Sequence, residues 1–314
     1  MKISTLLLAL TPFLTQGSAW AGPMAYVPNE KSATVSVVDT ESHLVVNSLA
    51  AGKRPRGIAA SLDGRWLYLT DAQSNSLIKV DTLSGVTVSQ LGLGKSPEGV
   101  YLSPDGAQLA VAVEESNSVT LVDAVNLVKL ADIKVKGKNP EHAVFSLDGR
   151  WIYVSAEEAE QVDVIDRASQ KQVGQIAVGK RPRGIGFLPD GKRAYIACEL
   201  AGKVFVVDTT SRKVLATISA GLNPAGIAVH PSGRQVYVSN GRDGTVMVID
   251  TATNQVTATI EVGKRPWNMA LTPDGKQLYV ANGRSNSVSV IDTESRSKTQ
   301  DITVGELPWG VVIR

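Results

Sequence analysis

Seven times along this chain a proline follows a glycine by three residues, at an almost constant interval. The prolines are Pro55, Pro97, Pro140, Pro182, Pro224, Pro266 and Pro308, spaced by 42 residues except for one step of 43. Three further markers keep the same period. An aspartate closes a β-branched run at Asp39, Asp81, Asp123, Asp166, Asp208, Asp250 and Asp292. A tight turn recurs as Asp63-Gly64, Asp105-Gly106, Asp148-Gly149, Asp190-Gly191, Ser232-Gly233 and Asp274-Gly275. A tyrosine recurs at Tyr26, Tyr68, Tyr153, Tyr195, Tyr237 and Tyr279, with Ala110 in the vacant register. A chain repeating at this interval makes one supersecondary unit after another, and each unit buries its apolar face only against its neighbours.

Each unit reads as four short strands. In the second they are residues 57–61, 65–70, 76–80 and 86–93, rich in Val, Ile, Leu or Tyr. Asp-Gly between apolar strands suits a hairpin, because glycine takes positive φ without steric penalty. No stretch has the 3.6-residue period of a long amphipathic helix. Four antiparallel strands per 40–45 residues form the blade of a β-propeller, so the predicted fold is all-β and seven-bladed. The chain enters at residues 24–27 without an innermost strand and stops at 309–314 with an innermost strand lacking a blade. Pairing the two closes the ring and leaves no sheet edge between the first and last blades.

The segment before the first repeat reads as an address. Lys2, the apolar run Leu6 to Leu14 and the small residues of Ala19-Trp20-Ala21 predict a secretory signal at 1–21, cleaved after Ala21. The run is too short to span a bilayer of roughly 30 Å. The remaining 293 residues, 22–314, are one short of seven 42-residue units. The expected product is secreted, and periplasmic in a Gram-negative source, with no membrane span. A single cysteine, Cys198, rules out an intramolecular disulfide and a cysteine-rich zinc module. Cys-x-x-Cys-His is absent, which excludes covalent c-type haem. With 32 Lys+Arg against 30 Asp+Glu the chain is no polycation, although a local basic patch remains open.

The runs Tyr-Val-Ser-Asn (237–240), Tyr-Val-Ala-Asn (279–282) and Val-Ile-Asp-Thr (290–293), with Pro-Asp-Gly at 273–275, resemble the YVTN β-propeller repeat family over the whole of 22–314. The chain also resembles periplasmic propellers associated with pyrroloquinoline quinone (PQQ)-dependent catabolism. Haem d1-binding propellers, surface-layer proteins, lactonases and lyases share the superfamily, so resemblance implies the fold and leaves the chemistry open.

Antiparallel connectivity sorts the loops onto two faces. The Asp-Gly turns and Asp-Thr corners share one face, where their aspartates are expected to accept bonds from nearby backbone N–H groups. The inter-blade links and the facing hairpins share the other face, around the mouth of the central channel. The links supply Arg54, Arg56, Glu98, Glu141, His142, Arg181, Arg183, Arg265, Trp267 and Trp309 as candidate ligand-binding residues. The hairpins add Glu30, Asp71, Glu114, Glu157, Glu199, Arg242 and Arg284. Three Lys-Arg-Pro links predict a basic mouth whose guanidinium forks hold a carboxylate or phosphate. Surface Lys-Arg paired with nearby Glu is the plain alternative. His142 stands where five other units have glycine, and with Glu141 it could act as general base. No metal-ligand spacing accompanies it. Trp66 and Trp151 read as packing residues, His43 and His230 as incidental, and Cys198 as a buried inert thiol.

The leading reading is a non-enzymatic binding or accessory propeller, possible partners being an anionic small molecule or a protein. It fits a role in PQQ-linked oxidation and the lack of a recognisable nucleophile–base motif. No cofactor is evident from motifs. The alternative is a propeller enzyme or cofactor carrier, such as a lyase, a lactonase or a haem d1-like binder, using Glu141 and His142. A further alternative is single-stranded nucleic acid stacked on Trp267 and Trp309 over a basic groove.

Overall fold

The computed structural model describes residues 22–314, and the expected signal at 1–21 lies outside them. Seven four-stranded antiparallel sheets stand side by side. Blade 1 contains Met24–Asn29, Thr34–Asp39 and Val45–Ala50, with Val312–Ile313 as its innermost strand. The innermost strands of blades 2 to 7 are Pro55–Ala60, Pro97–Leu102, Pro140–Phe145, Pro182–Phe187, Pro224–Val229 and Pro266–Leu271. They start at the link prolines, two residues earlier than the sequence suggested. Proline fits there because the first residue of a strand need not donate to the ladder.

The ring closes as expected. Ala25 pairs with Ile313 and Tyr26 with Val312, while Met24 and Arg314 exchange backbone bonds of 2.6 and 3.0 Å. No single core exists. Seven apolar clusters lie in the seven gaps between adjacent sheets, including one joining Val27 and Ile313 to Tyr279 and Val290. Each blade is thus stabilised through both neighbours, as in a closed repeat array.

The recurring tyrosines tie blade to blade. Tyr68 Oη donates to the Ala124 carbonyl at 2.8 Å, Tyr153 to Thr209 and Tyr279 to Thr40, each at the corner of the following blade. Where Ala110 takes the tyrosine register, the following corner carries Arg167 instead of a small residue. Its guanidinium reaches back to Gln108 Oε1 and Asp105 Oδ2, both at 2.9 Å. The corner and turn aspartates accept backbone N–H bonds, as expected: Asp39 from Glu41 and Ser42, Asp63 from Arg65, Asp274 from Lys276. Trp66 stacks with Lys79, and Trp151 lies between Arg150 and Arg212, so both pack on the fold. Cys198 is buried, and burial pushes its thiol up to about 12, which keeps it inert. His43 is more than incidental, because its Nδ1 lies 2.9 Å from Tyr279 Oη across the closing seam.

Just after each link proline of blades 2 to 7 the innermost strand slips register. The bulge frees one residue from the ladder and turns it into the channel mouth. The next residue is glycine in most blades because neighbouring strands converge there. A Cβ on Gly57 would sit 2.4 Å from the Glu98 carbonyl, and one on Gly226 2.3 Å from that of Trp267.

Candidate functional site

Going round the ring, the bulged register reads Arg56, Glu98, Glu141, Arg183, Ala225, Trp267 and Trp309. The hairpin just outside it reads Glu30, Ala72, Glu114, Glu157, Glu199, Gly241 and Gly283. The mouth is therefore two-sided. Blades 2 to 5 present charge, blade 6 presents Ala225 over Gly241, blade 7 presents Trp267 over Gly283, and blade 1 sets Trp309 beside Glu30. A cavity of about 250 Å³ lies between them, and every link candidate except Arg54 lines it. Glu30, Glu114, Glu157, Glu199, Ala225 and Asn268 complete the wall.

The expected basic rim is instead an ion-pair network. Arg56 bridges Glu30, at 3.2 Å, and Glu98 in a shorter contact, while Arg54 caps Glu30 at 2.6 Å. Arg183 meets Glu141, also in a short contact, and Glu157 and Glu199 at 2.9 Å each. Arg181 lies 3.2 Å from both Glu157 and Glu199, and Arg265 lies 2.9 Å from Glu199. Six glutamates face four arginines in the cavity wall, so its guanidinium forks already hold carboxylates. Asp71, counted among the rim acids, accepts the backbone N–H groups of Lys53, Arg54, Gln73 and Ser74 and has a structural part.

The order Arg56–Glu98–Glu141–Arg183 on four successive inner strands puts two buried carboxyls next to each other, each with one arginine behind it. Two like charges at adjacent buried positions cannot both ionise cheaply. Burial and then the Glu141 charge push Glu98 up to about 8, and the same two causes push Glu157 up to about 7. Glu141 is also desolvated, but Arg183, His142, Arg56 and Arg181 outweigh this and hold it below the ordinary carboxylate range. Glu199 is likewise desolvated, yet Arg183 and the Asn223 amide bring it down to about 2. These directions favour the neutral form at Glu98 and Glu157 and the ionised form at Glu141 and Glu199.

His142 is held by a residue the sequence reading missed. Tyr101 Oη lies 2.6 Å from His142 Nδ1. The imidazole occupies the space left by Gly99, whose Cβ would come within 3.0 Å of Nδ1. It also packs on Trp309, with ring centroids 5.9 Å apart, so Trp309 is partly committed to the fold. Burial lowers His142 to about 4, although Glu141 opposes the shift. Burial first, then Glu141, raises the Tyr101 phenol well above its ordinary value, so it stays protonated. A phenol that donates to Nδ1 pairs with a neutral ring whose proton sits on Nε2, the arrangement in which the phenol hydrogen has a partner.

The opposite side is open. The Trp267 indole lies over Gly283, where a Cβ would come within 2.8 Å of the ring. Arg181 and Arg265 have φ of +57°, a left-handed backbone that non-glycine residues adopt at a cost of order 1–3 kcal/mol. Glu157 Oε1 and Arg181 Nε are buried without an aligned hydrogen-bond partner despite their charge contacts, which leaves bonding capacity at the cavity wall. Among the described residues no cluster of three or more His, Cys, Asp or Glu side chains is arranged to hold a metal ion.

A family model described as a seven-bladed β-propeller lactonase matches residues 167–307. No curated protein sequence matches the chain. Similar solved structures include a Kuenenia stuttgartiensis hydrazine synthase chain, 24% identical with TM-score 0.79, covering 85% of this chain and 92% of that one. A provisional 6-phosphogluconolactonase from Bacteroides fragilis is 19% identical with TM-score 0.78, over 95% and 99%. The dihydro-haem d1 dehydrogenase NirN is 17% identical with TM-score 0.69, over 92% and 74%. At these identities the solved structures speak for the fold alone.

Proposed function

We propose that the chain is a propeller enzyme that hydrolyses a cyclic ester of sugar-acid size in the central cavity. One observation carries this reading: buried Glu98 and Glu141 sit on adjacent inner strands, and the Arg183 that meets Glu141 also meets Glu157, so three carboxyls converge on one cavity wall. A protonated carboxyl and an ionised one are the acid and base that ester hydrolysis needs.

The roles follow from protonation state. Glu157 as carboxylate takes a proton from water, whose oxygen adds to the ester carbonyl carbon. The oxygen of that carbonyl gains charge, and its donors are the Nε2–H of His142 and the N–H groups of Arg181 and Arg265 that are left over from their pairs with Glu157 and Glu199. The acyl C–O bond then breaks, and Glu98 gives its proton to the leaving ring oxygen. The product is an open hydroxy acid, whose carboxylate suits the same arginines. Trp267 supplies the face against which a sugar ring can lie. A cavity of about 250 Å³ favours a compact ligand over a tetrapyrrole.

The direct test is a pH-stat assay with glucono-1,5-lactone and related sugar-acid lactones. The wild type should exceed spontaneous ring opening, and Glu98→Gln should lose most of that excess while still folding. A wild type no faster than buffer on the whole panel sinks the proposal.

A periplasmic setting agrees with the signal-type first segment, and a link to PQQ-dependent oxidation agrees with the repeat resemblance. Oxidation of a cyclic hemiacetal yields a lactone, so an oxidase of that class would supply the substrate. Mass spectrometry of protein from its native host checks the first point: a chain starting at Gly22 supports export, and a retained Met1 opposes it.

A further inference from the structure

Beside the cavity, on the same face, a second groove runs between blades 6 and 7, walled by Arg242, Lys264, Arg265 and Arg284 with a single carboxylate, Asp243. That carboxylate is engaged, with Oδ2 accepting the Leu222 N–H at 2.6 Å. Arg265 lines both spaces.

The repeat itself shows that this charge is unusual. Several blades set a link residue beside a hairpin residue through a backbone bond, Lys31 N–H to the Glu306 carbonyl in blade 1, Glu158 N–H to Lys138 in blade 4, Arg242 N–H to Leu222 in blade 6 and Arg284 N–H to Lys264 in blade 7. In blade 1 the pair forms a Lys31–Glu306 salt bridge at 2.7 Å. Blade 3 has Lys95–Glu115 at 3.9 Å, and blade 4 sets Lys138 beside Glu158. Blade 7 alone places two cations there, Lys264 and Arg284, and blade 6 adds Arg242 across the groove. None of these three makes a salt bridge. Like charges fixed side by side oppose folding slightly, and a bound anion relieves that cost. Gly241 and Gly283 add no side chain here, and Arg265, whose guanidinium lies 6.0 Å from the centre of the Trp267 ring, is the group between this groove and the indole.

We propose that the groove is a second subsite, which takes a multiply charged anionic group, a phosphate monoester being the type, on a ligand whose ring lies against Trp267. Anion capture by the groove stands apart from the hydrolytic reading, whereas its joining to the cavity rests on it. A tetrahedral dianion can accept from several of the four cations at once.

The test is calorimetric titration of the full chain with inorganic pyrophosphate, gluconate and 6-phosphogluconate, repeated at two salt concentrations. Wild type should bind 6-phosphogluconate about tenfold or more tighter than gluconate, and the gap should shrink as salt rises. Lys264→Glu, which recreates the link-acid, hairpin-base pair of blade 1, should fold normally and remove the gap. Lys192→Glu, on the far face, should leave it intact. Equal binding of the two acids by the wild type, or an equal loss in Lys192→Glu, overturns the proposal. Pyrophosphate that binds the wild type and is lost in Lys264→Glu keeps the groove even if the lactone assay fails. Trp267→Ala should weaken 6-phosphogluconate and spare pyrophosphate. If it spares both, the groove holds a free anion and the joined subsite is wrong.

Discussion

Tyr101 Oη lies 2.6 Å from His142 Nδ1, and this contact decides what the imidazole can do in the cavity. A phenol that donates to Nδ1 fixes the proton on Nε2, so the ring enters the site as a donor. Tyr101→Phe should let both tautomers appear in histidine side-chain NMR. In the lactone assay kcat should fall about tenfold or more at unchanged KM, as for a lost oxyanion donor. A single Nε2–H tautomer in Tyr101→Phe, or a drop that tracks stability alone, contradicts the role.

The Glu98 proton has a signature in stability. Its folded pKa, about 8, lies above the ordinary carboxylate value of 4.5. Between those two values the folded chain binds more protons than the unfolded one, so stability falls as pH rises through the window. Glu157 adds the same sign up to about 7. His142, lowered from 6.5 to about 4, acts oppositely: its contribution is complete above 6.5 and is lost as pH falls towards 4. Thermal midpoints should therefore decline from pH 6.5 to 8.5, and Glu98→Gln should flatten that decline. An unchanged slope in the variant argues against a retained proton.

Arginines in the network differ in what their loss costs. Arg183 is 18% exposed and faces three glutamates, whereas Arg54 is 49% exposed and faces one. Arg183→Met leaves the buried Glu141 carboxylate without its ion-pair partner and should cost about 3–5 kcal/mol in denaturant unfolding. Arg54→Ala should cost no more than about 1 kcal/mol. Similar losses in the two variants would show that the network behaves as surface charge.

Ala110 and Arg167 replace the tyrosine–corner pair used at other seams. Ala110→Tyr alone should be destabilising because the guanidinium fills that space, and Arg167→Thr alone because Asp105 and Gln108 lose their partner. The double variant rebuilds the repeat's usual pair and should recover about 1 kcal/mol or more relative to additivity. Strict additivity would mean that the two positions do not share one space.

The blades could be read from the chain because hairpin turns, strand ends and link prolines each leave a mark at one period. The face on which the site lies could be read too, since antiparallel order assigns it. The charge of that face could not. Arg56 and Glu98, like Glu141 and Arg183, are a whole repeat apart, so a count of Lys-Arg-Pro links sees cations without the carboxylates that the ring brings to them. Tyr101 did leave a signal: its register carries Ala59, Val144, Gly186, Ala228 and Ala270 elsewhere, and a phenol among small residues marks filled channel space. Protonation was out of reach, because it depends on which carboxyls end up adjacent and buried.

The closing strand is only two residues long, Val312–Ile313, yet it fastens the chain's last turn to its first. Trp309, just before it, lies against His142, while Glu30, in the same blade, anchors Arg56. A two-pair ladder, with the Met24–Arg314, Pro28–Trp309 and Glu30–Leu307 backbone bonds beside it, is the place where the ring can open locally. Opening there would part the aromatic wall from the charged wall without unfolding a blade. Amide exchange at Val312 and Ile313 and the pace of ligand traffic are then two readings of one breathing motion, centred on the point where the circle was cut to make a linear chain.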